Sequence, residues 1–235
     1  AAETAPVPAQ RSSDSAKLKA FFAAEWERAL QDSPETASYM GDPRFDHRWA
    51  DFSPAAIAAR QAADLRALDA LHAISSAGLS PADKLDYDTF EWQLQRNIER
   101  QKFREYLQPI GHQGGVQTAD GIAEVMPFAS VADYQKWLAR MQALPRLVEQ
   151  TMALLREGVQ AGHLPPRVLM ERAAKQIAAQ VVDEPGQSPF YRPFMRFPAA
   201  LSPEQGAELS ATARSVIKTV VVPAFAKLQA YFKAE

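Results

Sequence analysis

The sequence predicts an all-α protein, a bundle of long helices, on three observations. Apolar residues recur every three or four positions through most of the 235 residues, alternating runs bounded by hairpin turns are absent, and Ser-Pro pairs open successive periodic segments. In the first segment Leu18, Phe21, Phe22, Trp26 and Leu30 form one stripe, with Ser13 and Asp14 as capping candidates and Asp32-Ser33-Pro34 as the stop. A second helix opens at Ser53-Pro54, turns Ile57, Leu65, Leu68, Leu71 and Ile74 inward, and ends at Gly78. Ser80-Pro81-Ala82-Asp83 repeats that opening: a hydroxyl caps free amides, proline takes the first helical position, and an acid faces the positive helix end. Its helix carries Leu85, Phe90, Trp92, Leu94, Ile98, Phe103 and Leu107 and is expected to run to about Gln108, roughly 40 Å at 1.5 Å per residue.

Across residues 109–127 the periodicity lapses around Gly111-His112-Gln113-Gly114-Gly115, an irregular stretch of a length that often carries function. Ser130-Val131-Ala132-Asp133 has capping-box spacing and opens another long helix through Tyr134, Trp137, Leu138, Met141, Leu144, Leu147, Met152, Leu155 and Val159, with a kink expected at Pro145 and a stop at Gly162. Pro165-Pro166 opens a shorter helix with Val168, Leu169, Ile177 and Val181. Residues 183–198 hold four prolines with Phe190, Tyr191, Phe194 and Phe197 between them, which excludes a continuous helix and predicts an ordered, packed strap. Ser202-Pro203-Glu204-Gln205 is a full capping box, and the last helix runs through Leu209, Val216, Ile217, Val220, Val221, Phe225, Leu228, Tyr231 and Phe232 with a kink at Pro223.

Residues 1–12 are mostly small and proline-spaced and read as a flexible leader, and residues 13–235 as one helical domain, incomplete at its C-terminal end. The opening Ala-Ala-Glu, without Met, suits a chain left by signal-peptidase cleavage and so suggests export to the periplasm or beyond, although an artificial boundary reads the same. A final helix without a glycine, asparagine or proline stop leaves Val221, Phe225, Leu228 and Phe232 awaiting packing partners, which predicts self-association.

Composition narrows the function classes. With 26 Lys and Arg against 28 Asp and Glu, a net charge of −2 lacks the basic excess of nucleic-acid binding. No stretch of about 18 residues is both apolar and uncharged, so no membrane span is expected. The absence of cysteine excludes disulfides, thiolate nucleophiles and Cys-ligated metals.

Among four histidines, His47, His72, His112 and His163, none belongs to a His-Glu-x-x-His helix that would set two imidazoles one turn apart on zinc. His72 reads as a helix-surface residue and His163 as a cation favoured by a helix C-terminus. His112 is the candidate ligand contact, because flanking glycines let backbone approach closely; an ordinary turn with a solvated imidazole is the alternative. The substrate-contact candidates are therefore His112, Gln113, Gly114 and Gly115. Asp120 and Glu124 would present two carboxylates together if their segment were helical, and either one with His112 would make a small hydrolase; a solvated acidic face is the plainer reading. Acids at Asp83, Asp86 and Asp88 offset a helix dipole. No nucleophile elbow, phosphate loop or dinucleotide fingerprint occurs, and no catalytic or metal-ligating residue is assigned.

Several stretches in order carry a family resemblance: Ser33-Pro34-Glu35-Thr36-Ala37-Ser38-Tyr39-Met40-Gly41-Asp42, Leu79-Ser80-Pro81-Ala82-Asp83-Lys84-Leu85-Asp86-Tyr87-Asp88, Pro127-Phe128 with Asp133-Tyr134, and Leu155-Arg156-Glu157-Gly158 with Gly162 and Pro165-Pro166-Arg167-Val168. Ser188-Pro189-Phe190-Tyr191-Arg192-Pro193-Phe194 and Val222-Pro223-Ala224-Phe225 complete the set. Together they resemble the front part of a bacterial family of exported, largely uncharacterised proteins, similar to gluzincin-type zinc peptidases and distantly to angiotensin-converting enzyme. The resemblance implies a helical shell forming one wall of a peptide-accepting channel, with zinc and a glutamate base held in a His-Glu-Ala-x-Pro-Gly-His-His segment that no position here matches. The implied partners are the C-terminal half of the same polypeptide and a peptide substrate. This chain alone is then expected to be inactive, and a helical binding or scaffold protein is the rival.

Overall fold

A computed structural model describes residues 8–111 and 114–234, with side chains from residue 13 onward, and among them there are helices and turns but no strand. In chain order the α-helices are α1 (Pro8–Asp32), α2 (Pro34–Tyr39), α3 (Pro54–His72), α4 (Pro81–Arg100) and α5 (Val131–Gln142). Then come α6 (Leu144–Gln160), α7 (Arg167–Ala179), α8 (Pro203–Val216) and α9 (Val222–Ala234). Contacts gather them into two compact units, one of residues up to Asp32 with Ser53–Glu105, the other of Ser33–Phe52 with Tyr106–Glu235.

The first unit is α1, α3 and α4. Ser53 Oγ accepts the Ala56 N–H and Ser80 Oγ the Asp83 N–H, each with proline at the first helical position. The core joins Leu18 of α1 to Ala67 and Leu71 of α3 and to Tyr87 and Leu94 of α4, with Phe21, Phe22 and Phe90 as a ring cluster at 5.2–5.8 Å. Four expectations change here. α3 ends at His72 and not at Gly78, which closes a separate 3-10 turn, Ser76–Gly78. α1 begins at Pro8, so Ser13 and Asp14 lie inside it and cap nothing; residues 1–7 of the expected leader lie outside the described residues. Leu65 is exposed, because six residues before Leu71 it falls well off the buried stripe. α4 stops at Arg100 and not near Gln108: Arg104 takes a left-handed φ of +50° between two 3-10 turns, while Gln101 Nε2 donates to Gln61 O on α3 at 3.2 Å. Neither glycine nor proline announces that stop.

The second unit holds α2 and α5 to α9. Asp133 accepts the Ser130 N–H at 2.9 Å to start α5, and the expected kink at Pro145 is a full break at Ala143, with Pro145 in the first turn of α6. Gly162, at φ +75°, terminates α6 as expected. The proline-rich strap folds as two 3-10 turns, Pro185–Gln187 and Pro189–Met195, whose aromatics are core. Phe190 stacks on Trp137 at 5.5 Å and 12°, and the Trp137 Nε1–H donates to Phe190 O at 3.1 Å.

α8 passes into α9 through a π-helical turn, Ile217–Val221. Pro223 cannot donate to residue 219, and the widened turn absorbs that loss. The last helix is not an unpartnered face: Val221, Phe225 and Leu228 are fully buried and Phe232 partly so, with the Phe225 ring 5.9 Å from Phe190. The self-association expected of that face loses its basis. By length and composition alone Pro203–Ala234 could cross a membrane, which the uncharged-stretch reading did not anticipate because two lysines interrupt it; here its apolar side is core.

Candidate functional site

The second unit is organised around a buried charge. Arg140 on α5 is wholly buried and donates from Nε to Arg48 O at 2.9 Å, from Nη2 to Phe45 O at 3.1 Å and from Nη1 to Ser38 Oγ at 3.1 Å. Ser38 Oγ in turn donates to the buried carboxylate of Asp46. The guanidinium lies 5.0 Å over the Trp49 ring, and the Trp49 Nε1–H returns a bond to Arg140 O at 2.8 Å. Burial lowers the Arg140 pKa, with Glu35 and Asp46 opposing it. One side chain thus gathers α2 and the following turn against α5. Its signal in the sequence is an arginine three residues after Trp137 and four before Leu144, on an otherwise apolar stripe.

Segment 109–127 is shaped next to it. The Gly111 N–H donates to Gly114 O at 2.9 Å, and buried Gln117 clamps the turn by donating from Nε2 to Gly111 O at 2.7 Å and Gly114 O at 3.2 Å. The side-chain carbonyl oxygens of Gln117 and Gln180 find no donor among the described residues, so their NH2 groups alone hold the clamp. Gly115 sits at φ +136°, and a Cβ there would meet Gln117 Oε1 at 2.5 Å and Pro109 O at 3.0 Å. Only glycine fits.

A groove of about 400 Å³ opens beside this turn, lined by Glu35, Tyr39, Trp49, Tyr106, Gly115 and Thr118 among others. Among the described lining residues Glu35 is the one charge, and it accepts the Ala50 N–H at 3.1 Å. The groove offers aromatic edges, hydroxyls, exposed backbone and one carboxylate, within the size range of ligand sites. Its threonines are engaged with backbone, Thr118 Oγ1 donating to Gly115 O at 3.1 Å and Thr151 Oγ1 to Leu147 O at 2.8 Å, and among the described residues no histidine lines it.

Of the predicted contacts, Gly115 lines the groove, Gly114 is exposed in the turn, and His112 and Gln113 lie outside the described residues. Asp120 and Glu124 do not pair. Their segment Val116–Glu124 is a 3-10 helix, in which a four-residue step turns side chains about 120° apart. Asp120 accepts from Gln180 Nε2 at 2.8 Å and Glu124 from Arg192 Nη1 at 2.8 Å. The aromatic strap, read as core or groove wall, is core.

The zinc implied by resemblance finds no fit among the described residues. Among the described residues no three His, Asp or Glu side chains converge to hold an ion. His72 Nε2 meets Glu91 Oε1 at 2.6 Å, half exposed on the first unit, His47 is exposed, and His163 donates its backbone N–H to Gly158 O at 2.8 Å.

A family model described as a bacterial protein of unknown function, DUF885, matches residues 34–235. No curated protein matches the chain. Every residue named above around the groove falls within the matched range.

Proposed function

Starting from the premise that the chain belongs to the bacterial DUF885 family of unknown function, we propose that it is a non-catalytic helical portion of an exported, periplasmic or secreted zinc-metallopeptidase-like protein. In this reading it forms part of the wall of a peptide channel. The relation to gluzincin-type peptidases, and distantly to angiotensin-converting enzyme, is part of the proposal. Zinc and its glutamate base would be held by another segment of the same polypeptide, a reading supported by the lack of a three-donor cluster among the described residues.

The observation that carries the reading is the groove at the Gly115 turn. Aromatic walls and open backbone suit an extended peptide. Titrating the intact chain with unstructured, fluorescein-labelled octapeptides tests it. Saturable polarisation is expected, weakened about tenfold by Tyr39→Ala, an exposed position, with no product by mass spectrometry with or without added ZnCl2. A chain blind to every peptide would favour the scaffold reading, and cleavage by the chain alone would refute its non-catalytic role.

A further inference from the structure

The larger cavity, about 610 Å³, belongs wholly to the first unit, and one of its walls, α1, lies outside the family-matched residues. Its sides are two helix faces. Phe22, Glu25, Trp26 and Ala29 of α1 have one-face spacing, as do Asp86, Thr89, Phe90, Gln93, Leu94 and Asn97 of α4. Residues 86–97 extend the wall about 16 Å, or three turns.

The floor is apolar, with Phe22 and Phe90 rings 5.2 Å apart above buried Leu94, and Trp26 stands at the rim 52% exposed. Along the α4 wall Asp86, Thr89, Gln93 and Asn97 are exposed and bond to no described residue, so their donors and acceptors are open to a ligand. The lining carries three carboxylates, Glu25, Asp64 and Asp86, against one guanidinium, Arg28. Arg28 is occupied: it donates to Glu25 Oε2 at 2.7 Å and Asp64 Oδ1 at 3.2 Å. Negative charge is therefore in excess along the lining, and among the described residues Asp86 is the lining carboxylate without a counter-ion.

We propose that this groove between α1 and α4 binds a basic amphipathic helix. Its apolar stripe would lie on Phe22, Phe90 and Trp26, and its Lys or Arg side chains would meet Asp86 and the acidic rim. Three packed helices with an open inter-helix groove offer the shape a fourth helix fills, and charge complementarity selects a basic one. The rim tryptophan adds a face for a cation.

The test uses the intact chain and three probes: an amphipathic Leu/Lys peptide of about 14 residues, or four turns, its Leu/Glu counterpart, and spermine. Calorimetry and far-UV circular dichroism should show the Leu/Lys peptide binding saturably and gaining helicity. Affinity should fall about tenfold in Asp86→Lys and in Trp26→Ala, and should fall with added NaCl. Both positions are exposed, and Asn97→Lys serves as a second wall variant should Trp26→Ala prove unfolded. Equal binding of the Leu/Glu peptide, displacement of the Leu/Lys peptide by equimolar spermine, no binding at all, or binding indifferent to the wall variants would overturn the proposal.

Discussion

In the three-helix unit, α1, α3 and α4 meet through aliphatic stripes and a phenylalanine cluster, and the ion pairs stay local and partly solvated: Arg28, joined to Glu25, Asp32 and Asp64, keeps 29% of its side chain exposed, and buried Asp14 pairs with exposed Lys17 one turn along α1. In the unit of Ser33–Phe52 with Tyr106–Glu235, helices are shorter, 3-10 turns replace whole segments, and a fully buried Arg140 bonds backbone oxygens of a distant segment. The contrast teaches where polar groups carry structure. A regular helix satisfies its own backbone, so apolar contact is enough to hold it. Irregular chain leaves carbonyls exposed to burial, and some other group must reach them.

The widest test of that contrast replaces the two arginines. Arg140→Ala should cost about 3 kcal/mol or more in urea unfolding, because it strands buried Asp46 and the carbonyls of Phe45 and Arg48. Arg28→Ala should cost about 1 kcal/mol or less, as a partly solvated ion pair does. Equal losses would break the comparison.

Within the turn, Gly115→Ala should cost about 2 kcal/mol and weaken peptide binding, given its φ of +136° and the 2.5 Å approach of Gln117 Oε1. Gly114→Ala meets nothing within 4 Å and should stay within about 0.5 kcal/mol of the parent. Thermal melts and the labelled-peptide titration read both.

The smallest effect is a pH slope from the three-helix unit. Burial raises the Asp64 carboxyl above its usual range despite Arg28, whereas burial works against the Arg28 charge and is outweighed by Glu25 and Asp64. The folded state therefore holds the Asp64 proton more tightly than the unfolded chain. Its contribution to stability is full below the ordinary carboxylate pKa and is lost as pH rises through the raised one. Subtracting the Asp64→Asn stability curve from the parent's should leave a fall with rising pH across that window; a rise would contradict the sign.

Local signals were legible wherever a helix announced itself. Ser53, Ser80 and Ser202 cap as their Ser-Pro pairs foretell, Gly162 ends α6, and the strap's aromatics are core. The end of α4 was not legible, because Arg104 is left-handed without being glycine and the holding bond from Gln101 reaches another helix. The candidate site was half legible: Gly115 could be marked by its neighbours, but Glu35, Trp49 and Tyr106 join it only through folding.

Residue spacing, capping pairs and composition determined by themselves that this chain is helical, cysteine-free and punctuated by proline, because those properties depend on neighbours within a turn or two of chain. Tertiary structure alone decided that Arg140 is buried, that Asp120 and Glu124 part company, and that Phe225 and Leu228 are covered. Each depends on groups distant in the chain, such as Gln180 for Asp120, Arg48 for Arg140 and Phe190 for Phe225, and no local pattern records which distant oxygen or ring will arrive.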